Sequence, residues 1–389
     1  PSLPGPMMAC LRSALLLRSA PLRAPSSRLA RYSTCAAPEP LTSKLGAAPR
    51  RAATSLAGRP QTRTLAYKLE SGMQDIREGL SDEENFLFDT NGYIIVKNVF
   101  TQEEVAAANA AVDANADSFQ TREGHLRQTP DGSYLAGDGS TCRMDMGRML
   151  EWQSPQSDVF RQMLVHPKLL PYYNNLVGKG YRMDHLPILI QQERGAEGFT
   201  LHGGATHPDG SHLQELAFNY KHGRMYNTLL GASLCLTSAK IGDGGFCILK
   251  GSHKSNYPCP DSIKIGAAAR EHLYQPECEA GDVILFSEAC THGTLAWQGE
   301  HTRRVAIYRF SPSYVSYGRS VYAGQEGKWP EGMYDDAMTD AMRAVLLPAY
   351  HNRLDRPAPA ADGESVEVPQ PRLKYKMDHD AKVFGTKYF

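Results

Sequence analysis

The sequence predicts a mainly β protein with flanking helices, built around a barrel or jelly roll. Short apolar runs recur between residues 181 and 312, separated by tight turns such as 242–245, which is the pattern of an antiparallel barrel. Two such runs, residues 283–286 and 305–310, are joined by a polar loop. Helix signals, including a capping box at residues 101–104, precede these strands.

The individual elements follow from local patterns. An Asn-Gly turn at residues 91–92 introduces a strand at 93–96, and residues 121–148 are expected to form a long irregular loop. Helices are predicted at residues 105–113, 159–164, 169–177 and 336–347. Further strands are predicted at residues 186–191, 199–204, 226–237 and 246–249.

The chain divides into three parts. Residues 1–66 hold ten basic residues and one acid and are rich in Arg, Ser and Ala, so they are expected to be a disordered leader of the transit-peptide type. That leader predicts an organelle, a mitochondrion or a plastid. Residues 73–350 are expected to form the β domain with its helices, and residues 351–389 a linker and a charged tail.

Charge and hydropathy exclude several classes of partner. Beyond the leader, the chain has 32 of the 42 basic residues and 41 of the 42 acidic ones. This part of the chain is therefore mildly acidic, which argues against a nucleic-acid partner. No apolar run of 18 residues is present, so no membrane span is predicted. The eight cysteines form no C-x-x-C pair, and Cys235, Cys247 and Cys290 lie in or beside apolar runs, which indicates buried reduced thiols.

Two histidines are predicted to lie at strand ends. The run 199–204 ends in His202 and two glycines, and His292 follows the run 283–286, some 90 residues later. Two imidazoles from opposite strands of a jelly roll, usually joined by one carboxylate, bind ferrous iron and leave one face open for a cosubstrate and dioxygen. Arg303 lies eleven positions after His292. We therefore expect a metal site with an anionic ligand beside it.

Residues 86–105, 201–204, 244–253 and 291–312 together resemble the phytanoyl-CoA dioxygenase family. The resemblance covers roughly residues 80–320. It implies a double-stranded β-helix core and an enzyme that uses Fe(II), the cosubstrate 2-oxoglutarate and O2.

The family motif is H-x-D, then a distal histidine, then an arginine about eleven residues later. His292 matches the distal ligand, and Arg303 matches the residue that pairs with the far carboxylate of 2-oxoglutarate. Thr294 matches a hydroxyl position that donates to the same carboxylate. Asn227 is a candidate for contact with the cosubstrate, with packing or capping as the alternative.

One arginine of the Arg303–Arg304 pair must point away from the barrel, because neighbouring strand residues face opposite sides. The spacing favours Arg303 as the inward residue.

The first half of the motif departs from the family, because Gly204 stands where the aspartate is expected. Three arrangements stay open: two histidines with water or an anion in the vacant position, a shifted motif at His207-Pro208-Asp209, or Asp209 folded back beside His202. His202 is preferred to His207 as the ligand, because His207 lies in a loop rich in Gly and Pro. Asp209 is otherwise a turn residue.

These residues lead to one hypothesis and two alternatives. The hypothesis is a dioxygenase that hydroxylates an unactivated C–H of a small organic or lipid-like substrate, with His202, His292 and Arg303 as its functional core. A halogenase at a two-histidine site is the first alternative and rests on Gly204. A jelly-roll binding protein without activity is the second.

Overall fold

A computed structural model of the chain describes residues 80–385, except for 128, 207–208, 210, 212, 214–215, 222, 318–328 and 351–354. The leader predicted for residues 1–66 and its targeting role lie outside the described residues, as does His207. Within the described part, no helix combines the length and the apolar character needed to cross a membrane.

The helices begin and end where the local sequence supplies caps. Ser81 accepts from the backbone N–H of Glu84, whose carboxylate accepts from the N–H of Ser81, and the predicted box between Thr101 and Glu104 is formed in the same way. The α-helices are α1 (Asp82–Asn91), α2 (Gln102–Ala114), α3 (Asp158–Gln162), α4 (Leu170–Leu176), α5 (Asp261–Lys264), α6 (Asp340–Val345) and α7 (Lys374–Phe384).

Every predicted strand is present, and the described residues form six further strands that the sequence patterns do not predict. The strands are β1 (Tyr93–Val96), β2 (Gln120–Thr121), β3 (Met144–Met146), β4 (Arg182–Gln192), β5 (Phe199–His202), β6 (Phe218–Lys221), β7 (Arg224–Asn227), β8 (Leu230–Cys235), β9 (Gly245–Ile248), β10 (Val283–Ser287), β11 (His292–Leu295), β12 (Arg303–Ser311), β13 (Ala358–Pro359) and β14 (Val366–Glu367).

Two antiparallel sheets form the jelly roll. The larger has seven strands in the order β1-β10-β8-β12-β4-β3-β2, and the smaller has three in the order β5-β11-β9. Side chains of the two sheets meet between them: the ring of Phe286 on β10 lies 4.7 Å from the ring of His292 on β11. The predicted fold class is confirmed.

Strand alternation gives the large sheet two different faces. Leu285 packs in the main apolar core with residues of α2 and α3, whereas Ile284 and Phe286 pack in the smaller cluster between the sheets. The helices therefore cover the outer face of the large sheet, and the inner face is free to carry a site.

Four predicted segments differ from the structure. The irregular loop expected at residues 121–148 contains β3, which pairs with β4, and the polar loop expected between residues 286 and 305 contains β11. The strand expected at residues 226–237 is broken at Thr228–Leu229, because β7 pairs with β6 in a separate hairpin while β8 joins the large sheet. Within residues 351–389, where a linker and a tail are predicted, the described residues form the β13–β14 pair and α7.

Candidate functional site

His202 and His292 lie side by side on the small sheet. His202 is the last residue of β5, His292 is the first of β11, and the two are paired in register across these antiparallel strands. Their ring centroids are 4.3 Å apart. The structure thus brings together two histidines that are 90 positions apart in the sequence.

Each imidazole is held by a backbone carbonyl two residues before it. Nδ1 of His202 lies 3.0 Å from the carbonyl oxygen of Thr200, and Nδ1 of His292 lies 2.8 Å from that of Cys290. A carbonyl only accepts, so each Nδ1 carries the proton and donates it. Both Nε2 atoms are left as acceptors, which is the tautomer that a metal ligand requires.

The carboxylate beside these histidines is Glu288. It is buried in the turn between β10 and β11, and its Oε2 lies 3.6 Å from Nε2 of His292. One ligand atom each from His202, Glu288 and His292 lies within 4.8 Å of the others, and this is the only such group of three or more potential ligands among the described residues. Around a metal with bonds of about 2.1 Å, adjacent ligand atoms are about 3 Å apart, so small side-chain movements complete the site.

Burial and charge set the protonation of this group. Burial lowers the pKa of His202, and burial together with the neighbouring His202 lowers the pKa of His292 to about 4. Burial acts to raise the pKa of Glu288, but Arg309 and the two histidines outweigh it and bring that pKa to about 2. At neutral pH the group therefore offers two neutral imidazoles and one carboxylate, the donors that a divalent metal takes.

The residues considered from the sequence for the third ligand lie elsewhere. Asp209 is exposed, and its Oδ1 accepts from the backbone N–H of Ser211 at 2.8 Å, as a turn aspartate does. Gly204 has a φ of +90° and brings no side chain to the site. Glu288 is a site residue that the sequence reasoning missed, although it is the only charged residue between Val283 and Gln298.

The two adjacent arginines separate to opposite faces of β12. Arg303 is buried between the sheets and donates from Nη1 to Oε1 of Gln192 at 2.6 Å. Arg304 lies on the helix side, where Nη2 lies 2.6 Å from Oδ1 of Asp113. Burial lowers the pKa of Arg303 to about 10, so its guanidinium stays charged at neutral pH.

Gly245 makes room for Arg303. It lies on β9 with a φ of +84°, and a Cβ built there would stand 2.7 Å from Nε of Arg303. A side chain at this position would be strained and would also displace the guanidinium.

Thr294 and Asn227 have different surroundings. Thr294 is buried two positions after His292 on β11, so alternation places both side chains on the inner face. Asn227 is also buried, but its amide donates to the carbonyl of Leu176 at 3.0 Å and links β7 to α4. This hydrogen bond is of the kind expected if Asn227 has a packing role and does not contact the cosubstrate.

Arg143 is a second cationic residue between the sheets. It directly precedes β3, whose first residue, Met144, pairs with Gln191 on β4, and the next residue of β4, Gln192, pairs with Arg303. Arg143 is buried, its Nε donates to Asp145 at 2.8 Å, and its guanidinium lies 5.3 Å from the ring centroid of Phe199. Its terminal nitrogens make no hydrogen bond among the described residues. They can donate to an anionic ligand.

The chain is similar to one known family and to several solved structures. The sequence model of the family described as phytanoyl-CoA dioxygenase (PhyH) matches residues 88–305, more than half of the chain. HygX from Streptomyces hygroscopicus, solved with nickel and 2-oxoglutarate, is 21% identical over 63% of this chain and 92% of its own, with a TM-score of 0.50, and shares the fold. EctD from S. alaskensis, solved with 2-oxoglutarate and 5-hydroxyectoine, is 18% identical over 69% and 88%, with a TM-score of 0.44. A comparison with curated protein sequences gives no match.

Proposed function

The chain belongs to the phytanoyl-CoA dioxygenase family of iron- and 2-oxoglutarate-dependent oxygenases, and from that premise we propose that it hydroxylates a C–H bond of a small organic or lipid-like molecule. The observation that carries this proposal is the convergence of His202, Glu288 and His292 on one point between the two sheets.

These three residues would hold the iron. Two imidazole nitrogens and one carboxylate oxygen form the facial set of non-haem oxygenases, which leaves positions open for a cosubstrate and dioxygen. Bound iron would supply the oxidative chemistry, in which 2-oxoglutarate is decarboxylated to succinate and one oxygen atom enters the substrate. The chain itself contributes the ligands, their orientation and the exclusion of water.

Glu288 takes the place of the aspartate that the family motif carries. Its Oε1 is held by Arg309, so a single oxygen, Oε2, is directed toward His292. A carboxylate bound in this way stays charged and is fixed in position before a metal arrives.

Arg303 would anchor the far carboxylate of 2-oxoglutarate. A buried guanidinium binds a carboxylate through two parallel, charge-assisted bonds, and burial strengthens both. Thr294, on the same inner face as His292, would donate its hydroxyl to that carboxylate. Arg143 adds positive charge near both Arg303 and His202, which suits a dianionic cosubstrate.

Glu288 also bears on the halogenase alternative. That alternative rests on a vacant ligand position at Gly204, and Glu288 supplies a carboxylate from a different loop. Hydroxylation is therefore the reaction that the described residues favour.

The test is 2-oxoglutarate turnover by the full chain. Protein loaded anaerobically with Fe(II) and 2-oxoglutarate is exposed to air, and succinate is measured with and without candidate substrates. We expect succinate to form in proportion to the bound iron. Stable binding of iron and 2-oxoglutarate without any succinate would instead support a binding protein.

The proposed organelle location has its own test. A fluorescent protein fused behind residues 1–66 is expected to enter a mitochondrion or a plastid, because an Arg-rich leader of low acidity is the import signal of both. Diffuse fluorescence throughout the cell would contradict this.

A further inference from the structure

Cys235 and Cys278 form a close pair of thiols beside Arg303. Their Sγ atoms are 3.3 Å apart, and both residues are buried, Cys235 at the end of β8 and Cys278 in the segment before β10. Both line a small cavity between the sheets together with Arg303. Cys235 faces the inner side of the large sheet, because it packs with Ile284 and Phe286.

Backbone hydrogen bonds hold the two segments on either side of the thiols. Cys235 donates to the carbonyl of Asp282 at 2.9 Å and accepts from the N–H of Gly281 at 2.8 Å. Ala239 and Cys278 exchange both of their backbone bonds, at 2.8 and 3.0 Å. The closeness of the thiols is therefore imposed by the fold, and not only by their own contact.

We propose that Cys235 and Cys278 are an oxidation site, at which a peroxide converts the two thiols into a disulfide within the folded protein. Disulfide formation needs an Sγ–Sγ approach from 3.3 Å to about 2.05 Å, a movement of a little more than 1 Å that side-chain rotation and a small backbone shift provide. The two thiols line the same cavity as Arg303, the proposed 2-oxoglutarate anchor, so the reaction changes the surroundings of Arg303.

Cys278 is the thiol that reacts first. It is 4% exposed while Cys235 is 0% exposed. The hydrogen bond from Cys235, and after it the charge of Arg303, lower the pKa of Cys278 against the opposing effect of burial. By contrast, burial raises the pKa of Cys247 to about 12, and that residue has no thiol partner among the described residues.

The reaction balances in two steps. The Cys278 thiolate attacks one peroxide oxygen, so that an S–O bond forms, the O–O bond breaks and a water molecule leaves after protonation. The Cys235 thiol then loses its proton and attacks the Cys278 sulfur, so that the S–S bond forms, the S–O bond breaks and a second water leaves. Two thiols are oxidised by two electrons, and one hydrogen peroxide is reduced to two waters.

Oxidation of the two thiols depends on the cosubstrate if Arg303 binds 2-oxoglutarate, and this dependence rests on the proposed function. A carboxylate at Arg303 offsets the charge that favours the Cys278 thiolate. This raises the pKa of the Cys278 thiol, so the thiolate fraction and the rate of oxidation fall. Occupancy by 2-oxoglutarate would then protect the pair.

The experiment treats the full-length protein, loaded with redox-inert Zn²⁺, with increasing hydrogen peroxide, with and without 2-oxoglutarate. Free thiols are alkylated under denaturing conditions, and unreduced peptides are mapped by mass spectrometry. We expect a Cys235–Cys278 cross-link that dithiothreitol reverses, no cross-link in Cys278→Ser, and an unchanged cross-link in the control Cys247→Ser. The partly exposed Cys259 reports that peroxide was sufficient.

The outcomes test the oxidation site separately from the role of Arg303 as the 2-oxoglutarate anchor. Full alkylation of Cys235 and Cys278 in the wild-type protein, under conditions that oxidise Cys259, would overturn the oxidation site and leave the proposed function untouched. A cross-link that forms at the same rate with saturating 2-oxoglutarate supports the oxidation site and contradicts the role of Arg303 as the anchor.

Discussion

Arg309 donates from Nε to Oε1 of Glu288 at 2.7 Å, and this bond leaves Oε2 of the same carboxylate directed toward His292. The contact joins β12 to the turn that follows β10, so two elements of the jelly roll determine one ligand. It also compensates the burial of the carboxylate, because an unpaired buried charge is strongly unfavourable. A carboxylate that is charged, buried and has one oxygen directed toward an imidazole is suited to receive a cation.

Glu288→Gln is expected to weaken metal binding at least 10- to 100-fold, because the amide keeps the shape of the side chain but removes the charge that the metal and Arg309 both use. The measurement is Fe(II) or Zn²⁺ affinity by calorimetry under anaerobic conditions. The matched control is Asp209→Asn, at the exposed carboxylate of the neighbouring loop. If metal binding were weaker in Asp209→Asn and unaffected in Glu288→Gln, the third metal ligand would be Asp209 and not Glu288.

Arg303→Met is expected to raise the Kd for 2-oxoglutarate at least about 10- to 100-fold, because even one of the two charge-assisted bonds to the carboxylate contributes about 1.5–3 kcal/mol. Metal affinity without 2-oxoglutarate should be unchanged. Arg304→Met is the control, since it removes the same charge from the helix side of β12. Equal effects of the two substitutions on 2-oxoglutarate binding would contradict the assignment.

Gly245→Ala is expected to impair 2-oxoglutarate binding through Arg303. The new Cβ would stand 2.7 Å from Nε of Arg303, at a backbone φ of +84°. Gly242→Ala is the matched control, because Gly242 has a φ of +98° and nothing within 4 Å of the added Cβ. Both variants should lose about 1–2 kcal/mol of stability from the backbone strain, measured by chemical denaturation. Only Gly245→Ala should raise the Kd for 2-oxoglutarate, and a similar rise in both would attribute the effect to strain alone.

Metal binding should stabilise the folded chain. At a free metal concentration 100 times the Kd, the stabilisation is about 2.7 kcal/mol, which corresponds to a rise in Tm of about 5 °C for a domain of this size. The measurement is thermal unfolding with and without Zn²⁺, followed by removal with a chelator. His292→Ala should abolish the rise in Tm, whereas the same substitution at the exposed His272 should preserve it. A rise that persists in His292→Ala would indicate metal binding elsewhere.

Sequence reasoning located the parts of the site that depend on local pattern. His202 and His292 were placed at strand ends by apolar runs and turns, and alternation along β12 separated Arg303 from Arg304. The structure places His202 at the end of a predicted strand and separates the two arginines, whereas His292 begins β11, a strand within the predicted polar loop.

Glu288 could not be assigned in the same way, because its position depends on the turn after β10 and on a contact with Arg309 from another strand. Arg143 depends on pairing across three strands, β3, β4 and β12, which no local pattern encodes. The break between β7 and β8 was missed for a related reason, since both halves of the run have strand composition and only their partners differ.

The central claim is that His202, Glu288 and His292 hold one ferrous ion beside an Arg303 that binds 2-oxoglutarate. The most direct measurement is an anaerobic titration of the full chain with Fe(II) and 2-oxoglutarate, followed by the visible metal-to-ligand charge-transfer absorption. The account predicts a band that saturates at one iron per chain and that is lost in Glu288→Gln but kept in Asp209→Asn. A folded wild-type protein without this band, or a band that survives intact in Glu288→Gln, would contradict it.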